Sequence, residues 1–144
     1  DILATGGQFG STQDEAAGGG CRVKSYPNST GLVSEIVYRN MRFENVYLPL
    51  QLLGHYCPWP CKTPDGNTSA RFANISFINI VGKGSQHQTV AEIKCSALAP
   101  CENISMRSVH LTASSGGEGQ LKCENVVGVR IDNISNPSAC TPTL

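Results

Sequence analysis

One short motif recurs down this chain and limits what it can fold into. Glu35-Ile36-Val37-Tyr38-Arg39-Asn40-Met41 matches Asn74-Ile75-Ser76-Phe77-Ile78-Asn79-Ile80 and Asn103-Ile104-Ser105-Met106-Arg107-Ser108-Val109. Asn125-Val126-Val127-Gly128-Val129 is a shorter version, and the starts lie 39, 29 and 22 residues apart. Between the copies sit second strand-like runs, at 46–53, 89–95 and 119–123. In the first of these, Val46, Leu48, Leu50 and Leu52 alternate with Tyr47, Pro49, Gln51 and Leu53. A unit of this length cannot bury its apolar side alone, but stacked copies can. The expectation is an all-β solenoid whose coils align Ile36, Ile75, Ile104 and Val126 in one interior row. Asparagine at matching places suits turns, because its amide bonds nearby backbone. The extra length between the first two copies falls on 54–69, a Pro-, Gly- and Cys-rich stretch expected to leave the stack as a loop. A β-sandwich is the alternative, and it needs cleaner hairpin turns than this chain offers.

At 144 residues the chain is long enough for one domain with a sizeable core. Zero net charge and 15% charged residues argue against nucleic acid or an anionic membrane as partner. No run of about 18 apolar residues suggests a membrane-spanning helix. The opening Asp1-Ile2-Leu3 is not a signal peptide, so the start reads as processed, cleaved or incomplete. Residues 1–20 are expected to form a Gly-rich segment, loop or weakly ordered cap, with a strand possible at 1–5; 21–144 would be the solenoid. Within the segment, Asp14-Glu15 reads as a solvated pair rather than a catalytic dyad.

Seven cysteines and five Asn-x-Ser/Thr sequons, at Asn28, Asn67, Asn74, Asn103 and Asn133, point to a secreted, extracellular glycoprotein. Proximity suggests the bridges Cys57–Cys61, Cys95–Cys101 and Cys123–Cys140, one of 15 ways to pair six cysteines, and leaves Cys21 single. Metal binding by Cys57 and Cys61 is the weaker reading, since no second Cys or His pair stands at a useful spacing. No cofactor is expected.

Gly20-Cys21-Arg22-Val23-Lys24-Ser25-Tyr26 carries the chemistry. As a strand it places Arg22, Lys24 and Tyr26 on one face and Cys21, Val23 and Ser25 on the other. Two cations and an aromatic suit a carboxylate, which a guanidinium fork grips in two places and an ammonium holds as a point charge. A solvated strand face with two scattered cations is the plainer alternative.

This stretch resembles the Gly-x-Arg-Ile-Lys motif of the polygalacturonases, glycoside hydrolase family 28. The Asn-aliphatic coils and the tied C-terminus are similar to the later coils of that family, closest to its secreted fungal or oomycete exo-type members. Tyr56, in Leu52-Leu53-Gly54-His55-Tyr56, matches a tyrosine that follows the Arg/Lys motif. The resemblance implies a right-handed parallel β-helix, here partial, of about four to five coils. It also implies that Arg22, Lys24 and Tyr56 bind substrate by holding the carboxylate of a galacturonic acid unit of pectin. Inverting hydrolysis needs one carboxylic acid to protonate the leaving oxygen and one carboxylate to activate water. The family's Asn-Thr-Asp, Asp-Asp and Gly-His-Gly motifs occur nowhere in this sequence, so no catalytic residue is assigned. His55 would border the cleft; His87 and His110 would lie on the surface.

Three functions follow. The chain is a truncated pectin-degrading hydrolase with the carboxylate-binding half of the site and no catalytic aspartates, inactive alone. Alternatively it is a non-catalytic, secreted galacturonide-binding or decoy protein. The third reading is a β-solenoid that self-associates through an open end, since unpaired strand edges template pairing, with Cys21 as a possible link between chains.

Overall fold

The computed structural model of the chain describes residues 2–5, 19–57, 67–84, 88–132 and 140. Among these described residues ten strands run in order: β1 (Ile2–Thr5), β2 (Gly19–Lys24), β3 (Leu32–Val46), β4 (Leu48–Leu53), β5 (Arg71–Gly84), β6 (Thr89–Lys94), β7 (Cys101–Thr112), β8 (Gln120–Glu124), β9 (Val126–Val127) and β10 (Arg130–Asp132). They fall into two parallel sheets. The larger has the order β1-β3-β5-β7-β10, with β9 also on β7; the smaller is β2-β4-β6-β8. The chain therefore passes from one sheet to the other and returns beside its own previous pass. That is a partial parallel β-helix, as the repeat predicts.

Register explains the repeat. Ile36 pairs with Ile75 and Ile75 with Ile104, while Tyr38, Phe77, Met106 and Ile131 form the next row. The Tyr38 and Phe77 rings stack at 5.4 Å. From the smaller sheet come Cys21, Leu50, Ala91 and Leu121, then Val23, Leu52, Ile93 and Cys123. Almost all these side chains join one core. Like residues above and below one another give a continuous apolar column that no single coil could close. Phe43 fills one level of it. The opposing residue is Gly82, at φ +153°, where a Cβ would come within 2.3 Å of the Phe43 carbonyl oxygen.

One row differs from expectation. Val126 pairs with Cys101, not Ile104. Since Arg130 pairs with Ser105 at the same offset, Val129 is the residue that continues the Ile36–Ile75–Ile104 row. The left-handed corners give the reason. Glu35, Asn74, Asn103 and Gly128 have φ of 58°, 54°, 52° and 69°, and each sits just before its interior aliphatic. In the last coil Gly128, not Asn125, holds that corner, and glycine takes a left-handed backbone without cost.

These corners bend strands that would otherwise be too long for a coil. Asn40, Asn79 and Ser108 make a second left-handed row. Their side chains are linked from coil to coil. Asn74 Nδ2 donates to Glu35 Oε1 at 2.6 Å, Asn103 Nδ2 to Asn74 Oδ1 at 2.7 Å, and Asn79 Nδ2 to Asn40 Oδ1 at 2.8 Å. Asparagine is favoured here because it tolerates the left-handed region and satisfies a neighbour above.

Disulfides join Cys95 to Cys101 and Cys123 to Cys140. Cys57 is also disulfide-bonded, and its expected partner Cys61 lies outside the described residues. Cys21 is free and buried. A thiol on the inward face cannot link two chains without opening the core, which removes that role for it. His87, Asn133, the Asp14-Glu15 pair and most of 1–20 also lie outside the described residues.

Candidate functional site

The outer face of the smaller sheet gathers the polar side chains. Strand β2 presents Cys21 inward, 2% exposed, and Val23 against the core. Arg22 and Lys24 consequently point outward. The sheet continues past β2 and β4, with Ser25 N donating to Leu53 O at 2.9 Å. The chain then turns at Gly54-His55, and Tyr56 N donates back to Ser25 O at 2.7 Å. This return places Tyr56, 5% exposed, beneath both cations.

The Arg22 guanidinium carbon lies 4.7 Å from the Tyr56 ring centroid, and Lys24 Nζ lies 4.3 Å from it. Both distances fall inside the range of cation–π attraction. Tyr26, half exposed, meets the same ring edge-on, with centroids 5.8 Å apart at 55°. The structure therefore brings Arg22, Lys24, Tyr26 and Tyr56 together. Nε and Nη2 of Arg22 are buried and find no acceptor among the described residues. A buried donor without an acceptor costs roughly 1–3 kcal/mol. The two cations are held against an aromatic face rather than against a carboxylate, so their positive charge remains available to an anion.

His55 is half-buried beside Tyr56, and His110 is exposed on β7, on the other sheet. Among the described residues no group of His, Cys, Asp or Glu could hold a metal ion. No described helix is long and apolar enough to cross a membrane. Beneath Arg22, burial pushes the Cys21 thiol up to about 12.

Four polar residues beyond these escaped sequence reasoning. Gln51 on β4, Glu92 and Lys94 on β6, and Lys122 on β8 line a cavity of about 240 Å³ with Tyr47, Leu48 and Thr89. Gln51 is 1% exposed and Glu92 7%. Glu92 Oε2 accepts from Gln51 Nε2 at 3.1 Å, and Glu92 Oε1 pairs with Lys94 Nζ at 2.7 Å. Three of them carry the signal that Arg22 has in Cys-Arg-Val: Leu-Gln-Leu, Ala-Glu-Ile and Leu-Lys-Cys each set one polar residue between two inward apolar ones.

Comparison with known proteins identifies the family. The family model of the Glycosyl hydrolases family 28 matches residues 9–140. The chain is 29% identical over 123 residues to a polygalacturonase of Gossypium barbadense, covering 85% of this chain and 30% of that protein. It is 31% identical over 109 residues to an exopolygalacturonase of Oenothera organensis, with 74% and 30% covered. A probable exopolygalacturonase B of Emericella nidulans is 30% identical over 115 residues, with 76% and 26% covered. The relatives are thus both plant and fungal, and the chain spans less than a third of the length of each. No solved structure matches the chain.

Proposed function

Because this chain belongs to the glycosyl hydrolases of family 28, we propose that it supplies the uronate-holding part of a polygalacturonase-type site, acting on pectin outside the cell. Arg22 and Lys24 hold the carboxylate of one galacturonic acid unit, and Tyr56 forms the floor. A single observation carries this reading: both cations sit over one tyrosine ring, with Arg22 Nε and Nη2 buried and without an acceptor among the described residues. Arg22 would donate two hydrogen bonds in its own plane to a carboxylate, and Lys24 would neutralise the remaining charge. The Tyr56 ring limits the orientations open to both side chains, so less rotamer freedom is lost on binding.

Binding by this set needs no proton transfer. Hydrolysis does, and it requires two carboxyl groups on opposite sides of the glycosidic bond. Glu92 is tied to Gln51 and Lys94, and its register partners on either side, Gln51 and Lys122, carry no second carboxyl group. The reading is therefore that these 144 residues hold the sugar acid and do not cleave it alone.

The test is calorimetry with oligogalacturonates, alongside reducing-end release from polygalacturonate. The unaltered chain binds and releases no reducing ends, and Arg22→Ala/Lys24→Ala loses about a hundredfold in affinity, as two charge-assisted contacts at about tenfold each imply. Equal binding by the double variant defeats the carboxylate role. Turnover by the pure chain defeats the claim that it is catalytically incomplete.

A further inference from the structure

Beside the two cations stands an aromatic ring to which the proposed function gives no role. Tyr26 is 51% exposed, and it belongs neither to the apolar core nor to the side chains packed against it. The main chain beneath it is nonetheless fixed. Ser29 N donates to Tyr26 O at 3.2 Å, which closes a turn over Tyr26-Pro27-Asn28-Ser29. Proline sets φ at the second position, and Asn28 takes a left-handed φ of 62° at the third, the type II pattern. Asn28 then clamps the turn to the next coil: its N donates to Thr68 O at 3.0 Å, and its Oδ1 accepts from Asn67 N at 2.8 Å. The Tyr56 ring, 5.8 Å away and tilted by 55°, braces the Tyr26 ring itself. An exposed aromatic on so fixed a base is preorganised, since less freedom is lost when a ligand meets it. We infer that Tyr26 selects the sugar: its ring stacks on the C–H face of the same galacturonic acid unit whose carboxylate Arg22 and Lys24 hold, and so separates galacturonate from its C4 epimer, glucuronate. This rests on the reading of Arg22 and Lys24 given above.

Two arguments support it. The first is reach. From the Tyr56 centroid, Arg22 Cζ is 4.7 Å away, Lys24 Nζ 4.3 Å and the Tyr26 centroid 5.8 Å. Neither cation can therefore lie farther from the Tyr26 centroid than about 10.5 Å, the longer pair of these distances laid end to end. A pyranose ring stacks about 4 Å from an aromatic face, carries its carboxyl carbon about 3 Å from the ring centre, and presents its carboxylate about 3 Å from a cationic nitrogen. One sugar unit is thus long enough to touch Tyr26 and a cation together, and no second unit is needed. The second argument is shape. The axial O4 of galacturonate leaves C3–H, C4–H and C5–H together on the opposite face of the ring. In glucuronate O4 is equatorial, and the C–H bonds are divided between the two faces. An aromatic ring is apolar and negative above its plane, so it favours the continuous C–H face of the galacto form. The carboxylate is the same in both epimers, so Arg22 and Lys24 by themselves do not separate them. Discrimination needs a contact with the sugar ring. Of the two tyrosines at the cations, Tyr56 is buried and Tyr26 is the one exposed to make it.

The test is an NMR titration of the methyl α-glycosides of galacturonate and glucuronate against the unaltered chain, Tyr26→Phe, Tyr26→Ala and Arg22→Ala. The ratio of the two affinities is read within each variant, so any loss of folded chain moves both ligands together. The unaltered chain is expected to prefer the galacturonoside about tenfold, the size of one aromatic contact. Tyr26→Phe keeps the ring and the preference. Tyr26→Ala abolishes the preference by weakening the galacturonoside, and Arg22→Ala weakens both epimers. If the preference survives in Tyr26→Ala, is lost in Tyr26→Phe, or is absent from the unaltered chain, stacking by Tyr26 is wrong; the carboxylate reading still stands where Arg22→Ala weakens both. If Arg22→Ala binds both epimers as the unaltered chain does, or the unaltered chain binds neither, both readings fall.

Discussion

The free thiol of Cys21 gives the fold a weakness at alkaline pH whose size can be worked out. Its side chain is 2% exposed, and its Sγ lies 3.0 Å from Met41 Sδ. Burial raises it from 9.0 to about 12. The folded state thus holds the proton more tightly than the unfolded state. Below pH 9 both states are protonated and folding loses nothing. Above pH 9 the unfolded chain ionises first, and stability falls until the folded thiol ionises near 12. Integrating that difference gives a loss on the order of 1 kcal/mol at pH 10 and roughly 3 kcal/mol at pH 11. A small domain has only about 5–15 kcal/mol in total. The assay is urea unfolding at pH 8, 9, 10 and 11 for the unaltered chain and Cys21→Ala. The variant loses packing at every pH, but its curve should be flatter, and the gap between the two should shrink by roughly 3 kcal/mol between pH 8 and 11. Tyr38 is raised too, by burial first and then by the charge Cys21 would carry; the burial part persists in the variant. Parallel curves would refute the reasoning, because they would mean that the thiol ionises as easily inside as outside.

Two more predictions concern the asparagine rows. Asn79 has φ +53° and bonds Asn40. Asn79→Ala should cost about 2 kcal/mol, combining a left-handed penalty of about 1–2 kcal/mol with one modest hydrogen bond. Asn79→Gly should cost about 1 kcal/mol or less, since it loses only the bond; equal destabilisation by the two in urea titrations would remove backbone strain as the cause. The second concerns glycosylation. Nδ2 is the atom a glycan would occupy, and in Asn74 and Asn103 it already donates one hydrogen to the neighbouring coil, a contact that a glycan on the same nitrogen would crowd. Glycopeptide mass spectrometry on material from a glycosylating host should find these two sites less occupied than Asn28; full occupancy at Asn74 would contradict the ladder.

Much of the fold was legible because stacking repeats the same chemistry at each level. Ile36, Ile75 and Ile104 were readable as a column, since each follows a polar corner and precedes an outward residue. The fourth member was not. Asn125 resembles the corner asparagines and even has a left-handed φ of 52°, but its Nδ2 donates to Cys95 O at 2.9 Å, at a different corner. Residue identity alone does not separate two corners that favour the same residue. The cations of the site were readable from alternation along one strand. Tyr56 came from the resemblance, and its place under both of them comes from the turn that returns it to Ser25. Gln51, Glu92 and Lys122 were not legible as one set, for another reason. Each is one polar residue in a separate run, and only the register between runs makes them neighbours.

The corner rows also bear on how such a chain can change. Asn74 meets Glu35 across 39 residues and Asn103 meets Asn74 across 29, yet both links close with nearly the same geometry. The circumference of one turn is therefore independent of the next, and additional sequence is accommodated where the chain leaves the stack. In sequence, the extra residues fall in the passage between β4 and β5, which are both paired strands. For protein engineering this makes the passage a port. A foreign peptide inserted there would fall between two paired strands in the sequence, and the columns above and below would not have to be redesigned.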